Sequence, residues 1–394
     1  MSDAIPSLPE LPTVVCPHCG TVVPAGHFCG RCGAHLTHPG GAQAQARRAH
    51  AYAAAPDEPI LRLSVVTSLF PHLSRRSLAP FRIAVGTIGL LLLVLAVAGL
   101  EVPLVAVSAL GIPLLFQLYV HETGHYGDDA LVASLVTLGL GGGLGVAWAE
   151  LGGPYVARAL LPALSASLTS TESLLAATVV PIVGQLLMLA PLAVMVPRRS
   201  RHPESLDGFV IAASGALGFT FAATIVDLAG RLPGGILAHE PVTATLAEAA
   251  IRGLGVPLVG ALATGIVGAA AWTRRSARSS AGGRWLTSPL VALAVALAVD
   301  VGLGFADLAR LGDLALIAVH LGAIATFVVA ARVGLHHLLL HEDHDFAVGP
   351  PVVCPSCHHI RPAMPFCPQC GVATHATAKA HRRHELARIG AGEP

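Results

Sequence analysis

The chain has 394 residues, of which 54% are apolar and only 12% charged, whereas a soluble protein carries roughly 25% charged residues. A mean hydropathy of +0.68 argues against one large water-soluble domain. A near balance of 24 basic and 23 acidic residues argues against nucleic acid as a partner, since such binders show a strongly basic stripe.

At the N-terminal end, residues 1–36 hold Cys16, Cys19, Cys29 and Cys32, two CxxC pairs separated by nine residues. The other four cysteines, Cys354, Cys357, Cys367 and Cys370, repeat that spacing near the C-terminus. Zinc takes four thiolates in a tetrahedron, and each CxxC turn presents two sulfurs on one side. A unit of about 20 residues buries too little core to fold alone, so the metal supplies the folding free energy. Disulfides suit an oxidising compartment, which the arginine-rich membrane side is not. A redox CxxC calls for a βαβ unit, and none is visible. The pattern CPxCG…FCxxCG resembles the short zinc ribbons at the ends of bacterial membrane proteins. That resemblance implies one structural Zn2+ in each module and recruitment of cytoplasmic protein partners. His18, His27, His358 and His359 are then surface residues, because thiolates already fill each site. Residues 37–58 are small and polar, and 37–80 read as a flexible linker.

A helix crossing the hydrocarbon layer needs about 20 mostly apolar residues. Eight such stretches follow, near residues 83–100, 102–120, 130–149, 174–196, 208–229, 254–272, 289–306 and 314–333. Ten-residue alternation is absent, which argues against an outer-membrane barrel. Arginines cluster before span one (Arg75, Arg76, Arg82), between spans four and five (Arg198, Arg199, Arg201) and between six and seven (Arg274, Arg275, Arg278, Arg284), with Arg332 closing the eighth. Positive residues stay inside, so both termini are expected in the cytoplasm of a bacterial inner-membrane protein. No signal peptide precedes the first span.

The second span ends on His121-Glu122-Thr123-Gly124-His125. On a helix, His121 and His125 stand one turn apart and can ligate zinc with Glu122 as general base. This HExGH string resembles the site-2 membrane zinc proteases, whose third ligand is an aspartate in L-D-G. Leu206-Asp207-Gly208 opens the fifth span, so the resemblance implies His121, His125 and Asp207 as ligands. Tyr126-Gly127-Asp128-Asp129 is expected to break the helix soon after, unlike in that family.

A second resemblance covers spans four to eight. Asp207-Gly208 through Ser214-Gly215-Ala216-Leu217-Gly218-Phe219 is similar to the DGxxxGxxxGLGFA segment of PrsW-type membrane proteases, and actinobacterial relatives of that type also carry zinc ribbons. Residues 181–188, Pro-Ile-Val-Gly-Gln-Leu-Leu-Met, stand where that family has PxxEExxK. Gly184-Gln185 therefore replaces its glutamate pair and Met188 its lysine, and Ala223-Thr224 replaces Glu-Asn. The sixth span has no histidine. Without paired carboxylates nothing activates water, so a non-catalytic relative is expected.

Other polar residues carry weaker expectations. Asp300 in span seven and His320 in span eight fall at similar depth and are expected to pair, since charge in hydrocarbon is costly. The pair offers a proton-coupled transporter as a further alternative, though helix packing is the plainer role. Gly139 to Gly145 (GLGGGLG) reads as a close-packing surface. His336, His337, His341 and His344, with Glu342 and Asp343, read as an interfacial cluster.

The sequence thus predicts an all-α membrane protein of about eight transmembrane helices with a zinc ribbon at each end. Its expected parts are residues 1–36 (ribbon), 37–80 (linker), 81–335 (membrane domain), 336–375 (His-rich segment and ribbon) and 376–394 (disordered tail). The lipid bilayer is its first partner. The favoured role is a PrsW-like scaffold or sensor, with an intramembrane zinc metalloprotease as rival.

Overall fold

Thr13–Val15 (β1) and Val22–Pro24 (β2) pair antiparallel, Val14 opposite Val23. Pro351–Val353 (β3) and Ile360–Pro362 (β4) repeat that hairpin, Val352 opposite Arg361. These assignments come from a computed structural model that describes residues 12–17, 20–31, 33–36, 78–123, 128–152, 171–198, 205–237, 242–272, 288–309, 311–341, 348–354 and 357–371. Each hairpin is closed at its turn in the same way, by Cys16 N–H to the Thr21 carbonyl and by Cys354 N–H to the His359 carbonyl, both at 2.9 Å. The turn needs a left-handed residue. Gly20 supplies it at φ +69°, and in the second hairpin His358 adopts φ +59°. A side chain there costs roughly 1–2 kcal/mol, a cost the rest of the site has to offset.

Among the described residues between the hairpins are eight helical segments long and apolar enough to span a bilayer. They are Leu78–Val97 (α1), Glu101–Thr123 (α2), Asp128–Ala147 (α3), Thr171–Met195 (α4) and Ser205–Arg231 (α5), then a composite sixth, then Pro289–Leu308 (α8) and Asp313–His341 (α9). The sixth runs from Val242–Glu248 (α6) through a π turn at Ala249–Gly255 into Val256–Trp272 (α7). Its length differs from the expected 254–272, and Pro257 explains why. Proline leaves a carbonyl one turn back without its donor, and a π turn absorbs the mismatch, with Val256 N–H reaching the Ile251 carbonyl five residues back. At the other expected breaks, α2 ends at Thr123 and Asp128 already opens α3. The last apolar span ends at Leu335, three residues past Arg332. The helix runs on to His341, and Arg332 is 1% exposed beside the buried Ala331, Leu335 and Leu338.

α5 is the axis of the bundle, buried almost continuously from Ser205 to Thr220, between α3 and α7. Lipid tails are as apolar as leucine, so helices gain by close approach of small residues. A Cβ on Gly141 would overlap the Gly215 carbonyl, and one on Gly145 that of Phe219. Conversely, a Cβ on Gly218 would overlap the Leu138 carbonyl. Between α5 and α7, a Cβ on Gly208 would overlap the Gly268 carbonyl and one on Gly268 that of Gly208. The GLGGGLG run is therefore a packing face. α1 is the opposite case, with no residue of its span buried, so it presents its apolar surface outward.

Candidate functional site

The second hairpin and the loop after it bring Cys354, Cys357, Cys367 and Cys370 together, all four sulfurs within 4.8 Å of one another. Cys354 and Cys370 Sγ are 3.7 Å apart, and Cys357 and Cys367 Sγ 3.8 Å. A tetrahedron built on the usual Zn–S distance of about 2.3 Å has edges of about 3.8 Å. The spacing therefore fits a tetrathiolate zinc ion. Burial pushes the Cys357 thiol up to about 11, and a bound cation is what would hold it as the thiolate. Cys354 and Cys367 are fully buried, whereas Ile360 and His359 at the rim are exposed. Among the described residues this is the one cluster of three or more Cys, His, Asp or Glu with ligand geometry.

In the first hairpin, Cys16 and Cys29 are buried and occupy the places of Cys354 and Cys367. Cys19 and Cys32 lie outside the described residues, as do the linker to residue 77 and the tail from 372. The two hairpin units touch: Phe28 N–H donates to the Pro368 carbonyl and Phe366 N–H to the Gly30 carbonyl, both at 2.9 Å.

In the membrane core, α4, α5, the sixth span, α8 and α9 enclose a cavity of about 740 Å³. Gly184, Met188, Ala223 and Thr224 all line it. The PrsW resemblance expects PxxEExxK and the Glu-Asn pair at these positions, and the fold gathers them although they carry no carboxylate. Gln185, in the second position of the glutamate pair, turns away instead. It is 1% exposed, and its Nε2 donates to Thr264 Oγ1 on α7 at 3.1 Å. Its Oε1 is buried with no hydrogen-bond partner among the described residues. The carboxylates that do border the cavity are Asp227, Glu248, Asp300, Asp307 and Asp313. They do not converge as metal ligands, and two are neutralised. Arg231 holds Asp227 at 3.1 Å and Glu248 at 2.8 Å, while Arg252 binds Asp227 and reaches Glu248 at 3.2 Å. Among the described residues, these donors do not form a three-ligand metal cluster.

Asp300 and His320 both line the cavity but do not pair. His320 Nδ1–H faces the Leu316 carbonyl at 3.0 Å, one turn back on its own helix. Helix geometry explains the difference: the local carbonyl satisfies the imidazole without a partner from α8. At the other end of the bundle, His121 is exposed at the close of α2, Asp207 is buried at the start of α5, and Val120 and Leu206 share one hydrophobic cluster. His125 and the side chain of Glu122 lie outside the described residues, as do the side chains of His336, His337 and His341 and all of residues 342–347.

Sequence reading missed two polar assemblies. Ser134 donates to Gln117 Oε1 at 2.9 Å, Gln117 Nε2 donates to Ser214 Oγ at 3.3 Å, and the two hydroxyls are 2.6 Å apart. This triad ties α2, α3 and α5 together. The other is the ring of Asp227, Arg231, Glu248 and Arg252. Isolated serines and glutamines in apolar runs carry no spacing signal, but Asp227 and Arg231 at i,i+4 were visible in the sequence.

Eight spans and a cysteine metal site define a multi-pass α-helical membrane protein. Over residues 130–331, just over half of its length, the chain matches the PrsW family intramembrane metalloprotease. It belongs to that family. No curated protein and no solved structure matches it.

Proposed function

We propose that this chain is a non-catalytic member of the PrsW family, a scaffold or sensor of the bacterial inner membrane that recruits protein partners through cytoplasmic zinc ribbons. One observation supports the reading: Gly184, Met188, Ala223 and Thr224, where the resemblance expects the family's carboxylates and lysine, all line the cavity. Activation of water for peptide hydrolysis needs a general base within hydrogen-bond reach, and none of these side chains is one. The metal chemistry then rests in the ribbons, one ion on Cys354, Cys357, Cys367 and Cys370 and one on Cys16, Cys19, Cys29 and Cys32. Both termini lie in the cytoplasm, where cysteines stay reduced and hold metal.

The test is metal analysis of the purified chain. About two zinc ions per chain are expected, and none in a variant lacking all eight cysteines. Zinc retained by that variant overturns the reading and points to the rival, an intramembrane protease with His121, His125 and Asp207 as ligands and Glu122 as base. The shared cluster of Val120 and Leu206, next to buried Asp207, is what favours that rival. Under it, Glu122→Gln abolishes cleavage of a membrane substrate.

A further inference from the structure

We infer that the two terminal ribbons form one unit, a pseudo-two-fold clasp in which metal at one site stabilises the other. The inference rests on the proposed reading of both modules as zinc ribbons. The modules correspond residue for residue without a gap, from Thr13 with Pro351 through Cys16 with Cys354 to Gly33 with Gly371. Their hairpins have the same register, and their knuckles close on the same bonds, Gly33 N–H to Cys29 and Gly371 N–H to Cys367.

In this correspondence Phe28 matches Phe366 and Gly30 matches Pro368. The two bonds between modules, Phe28 N–H to Pro368 and Phe366 N–H to Gly30, therefore exchange when the modules exchange. That is the mark of an isologous contact. The side chains around it are complementary rather than identical. A Cβ on Gly26 would stand 2.6 Å from the Pro368 carbonyl oxygen, and one on Gly30 would overlap Met364 Cε. Gly26 and Met364 are counterparts, as are Gly30 and Pro368, so at both contacts the first ribbon is small where the second is large. Pairing two first ribbons would leave a gap at Gly26 and Gly30, and pairing two second ribbons would crowd Met364 against Pro368. The surface thus selects the unlike pair, which one chain supplies from its own two ends.

Phe28, Met364 and Phe366 are 7%, 5% and 3% exposed, more burial than a lone ribbon of about 20 residues provides. Ribbons in contact share one side of the membrane, which fits an even number of spans. Because zinc binds the folded ribbon and docking also favours that state, loss of metal from one site removes the surface on which the other rests.

Amide exchange on the full chain in lipid nanodiscs tests the clasp. Gly26 has no left-handed φ, so Gly26→Val meets only the Pro368 wall, while Met364→Glu attacks from the second ribbon. Either variant is expected to speed exchange of both the Phe28 and Phe366 amides roughly tenfold, with Gly33 and Gly371 still slow. In a Cys367→Ser, Cys370→Ser chain, the remaining zinc passes to a chelator roughly tenfold faster than from the wild type. Unchanged Phe28 and Phe366 exchange in both variants overturns the clasp. Protection that disappears when chains are diluted to monomers also overturns it, in favour of pairing between copies. A wild-type zinc count well short of two instead overturns the ribbon reading beneath it.

Discussion

The ribbons and the membrane core keep different things. In the second ribbon the four sulfurs stand at tetrahedral spacing, and the first ribbon has the same hairpin and the same spacing of cysteines. In the core the chain matches a metalloprotease family over residues 130–331, while the cavity wall carries Gly184, Met188, Ala223 and Thr224 where the resemblance expects carboxylates and a lysine. The contrast has a physical origin. A ribbon stripped of its ligands has no fold, because the metal supplies most of its folding free energy. Close contacts that hold the bundle, Gly141 with Gly215, Gly218 with Leu138 and Gly208 with Gly268, use residues that do not line the cavity, so the chemistry of the cavity wall can differ at little cost to them.

The largest effect expected on this contrast comes from Cys354→Ser with Cys357→Ser. Structural zinc binding is worth about 10 kcal/mol or more, so the second ribbon unfolds and its metal disappears. Metal analysis and loss of Gly371 amide protection check this, and the eight spans should stay helical by circular dichroism. Next comes Gly218→Leu, whose side chain meets the Leu138 carbonyl across the α3–α5 contact. Overpacking there should cost about 3 kcal/mol, read as a lower unfolding midpoint in detergent. A midpoint left in place would mean that the bundle does not depend on this approach, and the contrast with the ribbons would fail.

Ser214→Ala is expected to cost about 1 kcal/mol by removing the hydroxyl shared with Gln117 and Ser134. A double-mutant cycle with Ser134→Ala should then be non-additive, since both remove the same contacts. The smallest effect is Arg252→Gln at the exposed ring with Asp227 and Glu248, below about 1 kcal/mol and smaller still in high salt. A larger, salt-independent loss would show that the ring is buried by a partner.

The eight spans were legible in the sequence because burial in lipid demands about 20 consecutive apolar residues and leaves few other arrangements. The boundary errors fall where helices end on something other than polarity. The sixth span starts early because a π turn accommodates Pro257, and α9 outlasts Arg332 because its buried stripe does. The small-residue role of GLGGGLG was legible too, from composition alone. That Asp300 and His320 do not pair was not, because equal depth does not fix the angle around a helix axis. Nor was the Gln117–Ser134–Ser214 triad, whose members sit on three helices far apart in sequence.

By itself, the sequence determined that this protein is a membrane bundle of the PrsW type with a four-cysteine unit at each end, since hydropathy, motif spacing and thiolate chemistry are local properties of the chain. Only the tertiary structure decided that Gly184, Met188, Ala223 and Thr224 wall one cavity, that Gln185 turns from it to Thr264, and that the ribbons rest on each other through Phe28 and Phe366. Those are facts of how distant segments meet, and they depend on helix rotation and interface shape that no single stretch of residues encodes.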